Sequence, residues 1–262
     1  MKKRGPLLRK KNVKKEARQR RFKWLARALF VAALVGGLVW GGGRALTYLD
    51  FFDLQKIVVS GNPQSLSEAE IVRRSGVQLG TNLFKIKVQD VQFRLQQHPY
   101  FKFVSVQRQI PHTLVLEIRE HLPEFVLNAG RLYYVDKEGE IFKDITDSDE
   151  SRDLVVLSGF SDESILTDPQ GSREAMRAAA QLQKVFREAS FAADLGLSEI
   201  HYEKNIGFTL YPEKKKYSIK VGLKDFPDKI KKFEEIWDKV QKSSARISSI
   251  DLNYPGKVLM TL

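Results

Sequence analysis

The chain has 262 residues, 42% of them hydrophobic and 29% charged, and no cysteine. That is enough apolar material for one or two packed domains, and it excludes disulfides, thiolate nucleophiles and cysteine metal sites. The net charge of +12 is not spread along the chain: residues 1–27 hold thirteen basic residues and one acid, Glu16, leaving 31 basic and 31 acidic residues in the rest.

A basic tail, residues 1–23, leads into "ALFVAALVGGLVWGGG", residues 28–43, which carries no charge. As a helix this stretch measures about 24 Å, short of the roughly 30 Å hydrocarbon core of a bilayer. Arg27 and Arg44 can snorkel, however, and Trp24 and Tyr48 suit the two interfaces. Residues 24–48 are therefore expected to form a transmembrane helix. A buried core helix is the competing reading, weakened by the cations in front of it. A signal peptide cleaved at Gly41-Gly42-Gly43 would have a much shorter charged region. Basic residues stay on the cytoplasmic side, so the tail is expected inside the cell, on anionic lipid headgroups rather than nucleic acid. Everything after Tyr48 is expected outside the cytoplasm. Ala33, Gly37 and Gly41 recur every four residues and would form a small-residue face for helix packing; the ordinary abundance of glycine and alanine in membrane helices accounts for them equally well.

Beyond the span, "LQKIVVS" (54–60) reads as a strand stopped by Gly61-Asn62-Pro63. Ser67 with Glu70 predicts a capping box on a short helix through Arg74, which Gly76 stops. Val88, Val91 and Leu95 share a face of a second helix over 88–97, ended by Pro99. Residues 101–109 and 113–120 alternate apolar and polar as half-buried strands do, with Ile110-Pro111-His112 turning between them. The order strand, helix, helix, strand, strand makes an α+β module over residues 49–122, with Phe84, Leu95, Val104, Val106, Leu114 and Leu116 expected inside it.

A second domain is expected over residues 123–262, α+β with a mainly antiparallel sheet. It begins with strands over 131–135 and 140–143 around an Asp136-Lys137-Glu138-Gly139 turn, then "DLVVLSG". An amphipathic helix over 172–190 uses Met176, Ala180, Val185 and Phe186. Three further strands precede a helix over 225–242 striped by Ile230, Phe233, Ile236, Trp237 and Val240. "SSIDLNYPGKVLMTL" then reads as two strands around Tyr254-Pro255-Gly256, Ile250 and Leu252 packing inward.

A catalytic constellation is not found. The glycine patterns of nucleotide sites and the HExxH and GxSxG signatures are absent from the sequence. His98, His112, His121 and His201 lack ligand spacing. "DITDSDESRD" has Asp147 and Asp149 as a calcium loop would, but not its sixth-position glycine or twelfth-position glutamate. Neither a cofactor nor a metal nor a small-molecule substrate is expected.

"VVSGN", "LSEAEIVRRSGVQLGTNLFKI" and "HPYFKFVSVQRQIPHTLVLEIREHLP" together resemble the POTRA module of the bacterial cell-division family FtsQ, also called DivIB. "YYVDKEGEIF", "YSIKVGLKDFPDKIKKF" and "IDLNYPGKV" are similar to that family's later segments, so the resemblance covers nearly the whole chain. Phe125 departs from it, standing where a small residue is more usual. The resemblance implies a POTRA domain of βααββ order and a non-enzymatic scaffold of the inner membrane, its folded domains outside. It also implies binding to the FtsB- and FtsL-like bitopic division proteins and a link to septal peptidoglycan synthesis. A closing strand of Lys257, Val258, Leu259, Met260, Thr261 and Leu262 would then offer one side to a partner strand, with Gly256 in the turn before it, Tyr254 adding apolar contact and Lys204, on a nearby strand, meeting an acid of the partner. In the blander alternative that strand is paired on both sides and only completes the core. A membrane-anchored peptidoglycan-binding or processing protein and a POTRA-type secretion component are the alternative functions.

Overall fold

The computed structural model describes residues 13–46, 49–149, 152–242, 247–254 and 256–262. The first twelve residues of the basic tail, Tyr48 at the expected interface and Pro255 in the expected turn lie outside that description. Helix α1, Val13–Leu46, takes in the second half of the tail and the apolar run. Among the described residues no helix is long and apolar enough to cross a membrane, and the side chains of Val39, Trp40 and residues 42–46 are not among those described. Those that are, including Leu29, Phe30, Val31, Leu34 and Leu38, are exposed.

The chain divides into two compact units, the first made of residues up to Asn62, Leu66–Leu95 and Val104–Glu117, the second of Pro63–Ser65, Gln96–Phe103 and Ile118–Leu262. The POTRA order appears as expected: β1 (Lys56–Ser60), α2 (Glu68–Ser75), α3 (Val88–Gln96), β2 (Phe101–Gln109) and β3 (Thr113–Glu120). The sheet order is β1-β3-β2, β1 running parallel to β3 with Lys56 opposite Thr113 and Ser60 opposite Glu117.

Local chemistry sets these elements. Ser67 Oγ accepts from Glu70 N–H at the start of α2, and Gly76 ends the helix in the left-handed region at φ 66°. The predicted capping box is half made, because the Glu70 carboxylate turns to Arg73 at 3.2 Å instead. Ile71, Leu83, Val91, Leu95, Val104, Val106, Leu114 and Leu116 are buried in this unit. Phe84 is a correction: it is only half-buried, edge-on to Phe52 at 5.1 Å between ring centres.

The second unit contains β4 (Pro123–Asn128), β5 (Leu132–Asp136), β6 (Ile141–Asp144), β7 (Val155–Ser158), α4 (Asp162–Thr167), α5 (Pro169–Glu188), α6 (Ala192–Leu195), β8 (Glu199–Glu203), β9 (Gly207–Tyr211), β10 (Ser218–Gly222), α7 (Phe226–Lys242), β11 (Ser249–Asp251) and β12 (Leu259–Thr261). One sheet joins all its strands in the order β12-β11-β10-β9-β8-β7-β4-β5-β6. It is mixed: β10–β11, β4–β7 and β7–β8 run parallel, the other five pairings antiparallel. Pro123 opens a strand that its local sequence does not announce. Helix α5 starts three residues earlier than expected, since Pro169 fits the first turn and the Asp168 carboxylate accepts from Gly171 N–H.

Alternate residues of the strands, among them Phe125, Leu127, Val135, Leu157, Ile200, Leu210, Ile219 and Ile250, enter one core with Met176, Leu182 and Phe186 of α5 and Phe233, Trp237 and Val240 of α7. Phe191 ties the helices together, edge-on to Phe186 at 5.4 Å and to Phe233 at 4.8 Å. Ile250 and Leu252 are buried as expected, while Val185 and Ile236 lie at the core's margin.

Candidate interaction edge and buried charge cluster

The closing segment is held from beneath by α7. Lys229 Nζ donates to Val221 O at 2.7 Å and to Asn253 Oδ1 at 3.1 Å, and Lys232 Nζ donates to Tyr254 O at 3.2 Å. Burial pulls the Lys229 ammonium below its ordinary value, as desolvating a cation must. Asp251 Oδ1 accepts from Asn253 N–H at 2.9 Å, and Gly256 takes φ 67°, a conformation that suits glycine. The chain thereby reverses into β12, antiparallel to β11 with Asp251 opposite Leu259 and Ser249 opposite Thr261.

β12 stands last in the sheet, so among the described residues only β11 pairs with it. Leu259, Met260, Thr261 and Leu262 are all exposed, whichever face they take, as is Tyr254 in the turn. Lys257 is exposed too, and Val258 packs against the core margin. The strand itself is shorter than expected, with Lys257, Val258 and Leu262 outside it. An exposed apolar edge strand with unpaired backbone groups is a template for another strand.

Lys204 is not beside this edge. It lies in the turn after β8 rather than on a strand, with β9, β10 and β11 between β8 and β12, and its ammonium is 3.7 Å from Asp168 Oδ2. Ala33, Gly37 and Gly41 are exposed on α1.

At the other end of the sheet lies a cluster that residue spacing concealed. The Asp136 side chain is 2% exposed. Its Oδ1 accepts from the N–H groups of Glu138 and Glu140, at 3.0 and 2.9 Å, and so closes the β5–β6 turn. Its Oδ2 is 2.8 Å from both Lys102 Nζ and His121 Nδ1. Burial alone would raise the Asp136 carboxyl, but the bonds from Lys102, Glu140 N–H and His121 outweigh it and hold the group below its ordinary value. Lys102 also bonds Glu140, which keeps that carboxyl low as well. His121, Asp136 and Glu140 offer ligand atoms within 4.8 Å of one another, as a metal site would. The Lys102 ammonium, 2.8 Å from an oxygen of each carboxylate, supplies the positive charge there. His121 also stacks on Phe142 of β6 at 4.7 Å. A cleft of about 610 Å³ opens beside the cluster, lined by His98, Phe101, Lys102, His121, Phe142 and Arg173 among others; Arg173 is paired with Glu140, so its principal charges are already committed. The acidic loop weighed as a calcium site closes on itself: the Lys143 ammonium and the Thr146 N–H bond Asp149 and hold its carboxyl down at about 2.

Comparison with known proteins supplies the remaining finding. Residues 52–121 match the model of the FtsQ-type POTRA domain, and residues 125–253 that of the C-terminal part of the cell division protein FtsQ/DivIB. Cell division protein FtsQ of Geobacter sp. (strain M21) is 31% identical over 240 residues, covering 91% of this chain and 87% of that protein. FtsQ of Geotalea daltonii is 33% identical over 227 residues, covering 86% and 82%. Cell division protein DivIB of Clostridium acetobutylicum is 25% identical over 111 residues, covering 42% and 44%.

Proposed function

The chain belongs to the FtsQ/DivIB family of bacterial cell-division proteins, and from that premise we propose that it is a membrane-anchored scaffold, not an enzyme, whose closing strand recruits a bitopic partner to the division machinery. The parts of this reading are a cytoplasmic tail (1–23), an inner-membrane anchor (24–48), a POTRA domain (49–122) and a second domain (123–262) outside the cytoplasm. The anchor is supported by the uncharged run behind thirteen cations and by the exposure of every described large apolar side chain along it. The tail would add attraction to anionic lipid headgroups, and the small-residue face of Ala33, Gly37 and Gly41 would seat a neighbouring membrane helix.

The observation that carries the reading is β12: it is the last strand of its sheet, apolar, exposed on both faces and held in place by buried neighbours. FtsB- and FtsL-like proteins, small and anchored in the same membrane, are the partners proposed. A strand from one of them would extend the sheet, gaining about 1 kcal/mol net for each backbone bond, with Tyr254, Leu259, Met260 and Leu262 burying apolar surface against it. Gly256 and Lys257 set the entry of the strand. Lys204 would contribute only if the partner reaches across the sheet to the β8–β9 turn, where it would exchange Asp168 for an acid of the partner. Through this assembly the protein would act on septal peptidoglycan synthesis.

A photo-crosslinking residue placed in turn at Lys257, Val258, Leu259, Met260, Thr261 and Leu262 in growing cells tests the proposal. Crosslinks to one small bitopic division protein, strongest within β12, are expected; their absence at every position, with the same probe active elsewhere on the domain, would overturn it. The topology has its own readout. A reporter active only outside the cytoplasm is expected to work when fused after Leu262 and to be silent when fused at Met1; the reverse pattern would refute the anchor.

A further inference from the structure

The first unit gathers three segments at the end where its chain follows the apolar run. The one-turn 3-10 helix Asp50–Phe52 and the residues after it are laced to the loop between α2 and α3: Gly80 N–H donates to Leu54 O at 2.8 Å, Leu54 N–H to Thr81 O at 3.0 Å and Leu83 N–H to Phe52 O at 2.8 Å. The Asn82 side-chain amide adds a bond to Leu49 O at 3.1 Å. The β2–β3 turn joins the same group, since His112 O accepts from Gln55 N–H at 2.9 Å and Lys56 N–H at 3.3 Å.

These segments carry an unusual surface. Beyond α1, five large apolar side chains of this unit are exposed among the described residues, and four of them lie here: Leu49 at 49%, Phe51 at 67%, Leu79 at 64% and Ile110 at 61%; the fifth is Phe93. Phe51 does not hang loose, being edge-on to Phe52 at 5.2 Å, which is in turn edge-on to Phe84. Lys56, Lys85, Lys87 and Arg108, in or beside the same segments, are exposed, with Asp50, Asp53 and Asp90 the nearby acids in the chain. Arg108 is fixed by donating to Leu83 O and Ile86 O at 2.9 and 2.6 Å.

Covalent geometry says what meets this surface. Leu49 is three residues past the end of α1, and three residues reach at most about 10 Å. With α1 in a bilayer, Leu49 is therefore within a headgroup's depth of it, and the hydrogen bonds above tie the segments of Leu79 and Ile110 to the residues that follow Leu49. Apolar side chains accompanied by exposed cations are what the interfacial zone of a bilayer accommodates. We propose that this end of the first unit, built from residues 49–54, 77–87 and 110–112, seats on the phospholipid surface that holds the anchor. Leu49, Phe51, Leu79 and Ile110 enter the interface, and Lys56, Lys85, Lys87 and Arg108 meet lipid phosphates. This rests on the anchor proposed above. It makes the POTRA unit a fixed base on the membrane instead of a bead on a tether.

The absence of native cysteine allows a direct test on the full chain in phosphatidylcholine–phosphatidylglycerol vesicles. Single cysteines replace Leu34 in the apolar run, Leu79, Ile110 and the reference Phe93, each carrying an environment-sensitive dye. Leu34→Cys is expected to be quenched by lipids brominated deep in the chain. Leu79→Cys and Ile110→Cys should be quenched by headgroup-level nitroxide lipids at least about two-fold more than Phe93→Cys, as interfacial burial implies. Adding Lys85→Glu and Lys87→Glu should reduce that quenching. If Leu34→Cys is quenched while Leu79→Cys and Ile110→Cys behave as Phe93→Cys does, the seating is refuted and the anchor stands. If Leu34→Cys is not quenched, both fall. Dyes at 79 and 110 that are shielded only when a protein fraction is added would assign the surface to a protein partner, and that too overturns the proposal.

Discussion

At one end of the nine-stranded sheet, β6 carries Phe142 stacked on His121, a register shift against β5 and Lys143 bound to Asp149. At the other end, β12 has regular register with β11, apolar side chains on both faces and no charge among Leu259, Met260 and Thr261. Among the described residues both strands are edges, with one neighbour each. β6 shows ordinary protections of an edge, an irregularity, a lysine and a side chain anchored inward; β12 is short, at three residues, but has no register shift and no charge of its own. The two ends of one sheet therefore differ in how open they are to another strand, and the stability of the unit must come from elements behind β12.

The largest expected effect tests that last point. Ile250, on β11, is fully buried, and Ile250→Ala should cost about 2–5 kcal/mol, read as a lower midpoint in denaturant. Because β11 positions β12, partner binding should weaken with it. The next effect belongs to the protected edge. Asp136→Asn leaves Lys102 short of a buried acceptor and should cost about 1–3 kcal/mol. The pH dependence follows from the lowered carboxyls of Asp136 and Glu140. A depressed folded-state value contributes stability that is fully present above the unfolded-state value, near 4, and is lost as pH falls through the folded-state value. Melting temperature should therefore drop below about pH 4 in the parent and fall less steeply in Asp136→Asn.

Much of this architecture was legible in the sequence, and the failures have physical reasons. Ser67 and Gly76 mark α2 because capping is local, and the stripe from Ile230 to Val240 marks α7 because a helix repeats within its own length. The cluster at Asp136 was invisible: Lys102 is 34 residues away and His121 fifteen, and a lone histidine before Leu122-Pro123 carries no spacing signal. Lys204 was misplaced for a related reason. Strand order is a long-range property, and the parallel return of β11 beside β10 puts β9, β10 and β11 between the β8–β9 turn and the closing strand. The closing strand itself was legible as an apolar run after a Tyr-Pro-Gly turn; that its outer side has no neighbour among the described residues required the sheet order.

A smaller effect sharpens the comparison from the β6 side. Lys143 lies on a protected edge, and Lys143→Ala removes both its charge and its bond to Asp149. A partly exposed pair of this kind is worth up to about 1 kcal/mol, so the melting temperature should shift little. The edge loses its charged guard, however, and sedimentation should detect more self-association at high protein concentration than in the parent.

The smallest stability effect is expected where the functional effect is greatest. Successive N–H groups of a strand point to opposite sides, and β12 has β11 on one side only. Of the two variants Leu259→Pro and Met260→Pro, one therefore removes a rung shared with β11 and the other a donor on the open side. The first should cost about 1 kcal/mol. The second should stay within about 0.5 kcal/mol of the parent, as surface changes do, because both side chains are exposed and proline there breaks no internal bond. Yet the second should abolish capture of the proposed bitopic partner, since strand addition needs that donor and the proline ring obstructs the approach. Circular dichroism melts paired with a binding assay on the same preparations separate the outcomes. Two stable variants that both bind would show that the open side is idle, and two that both unfold would show that β12 is as structural as β6.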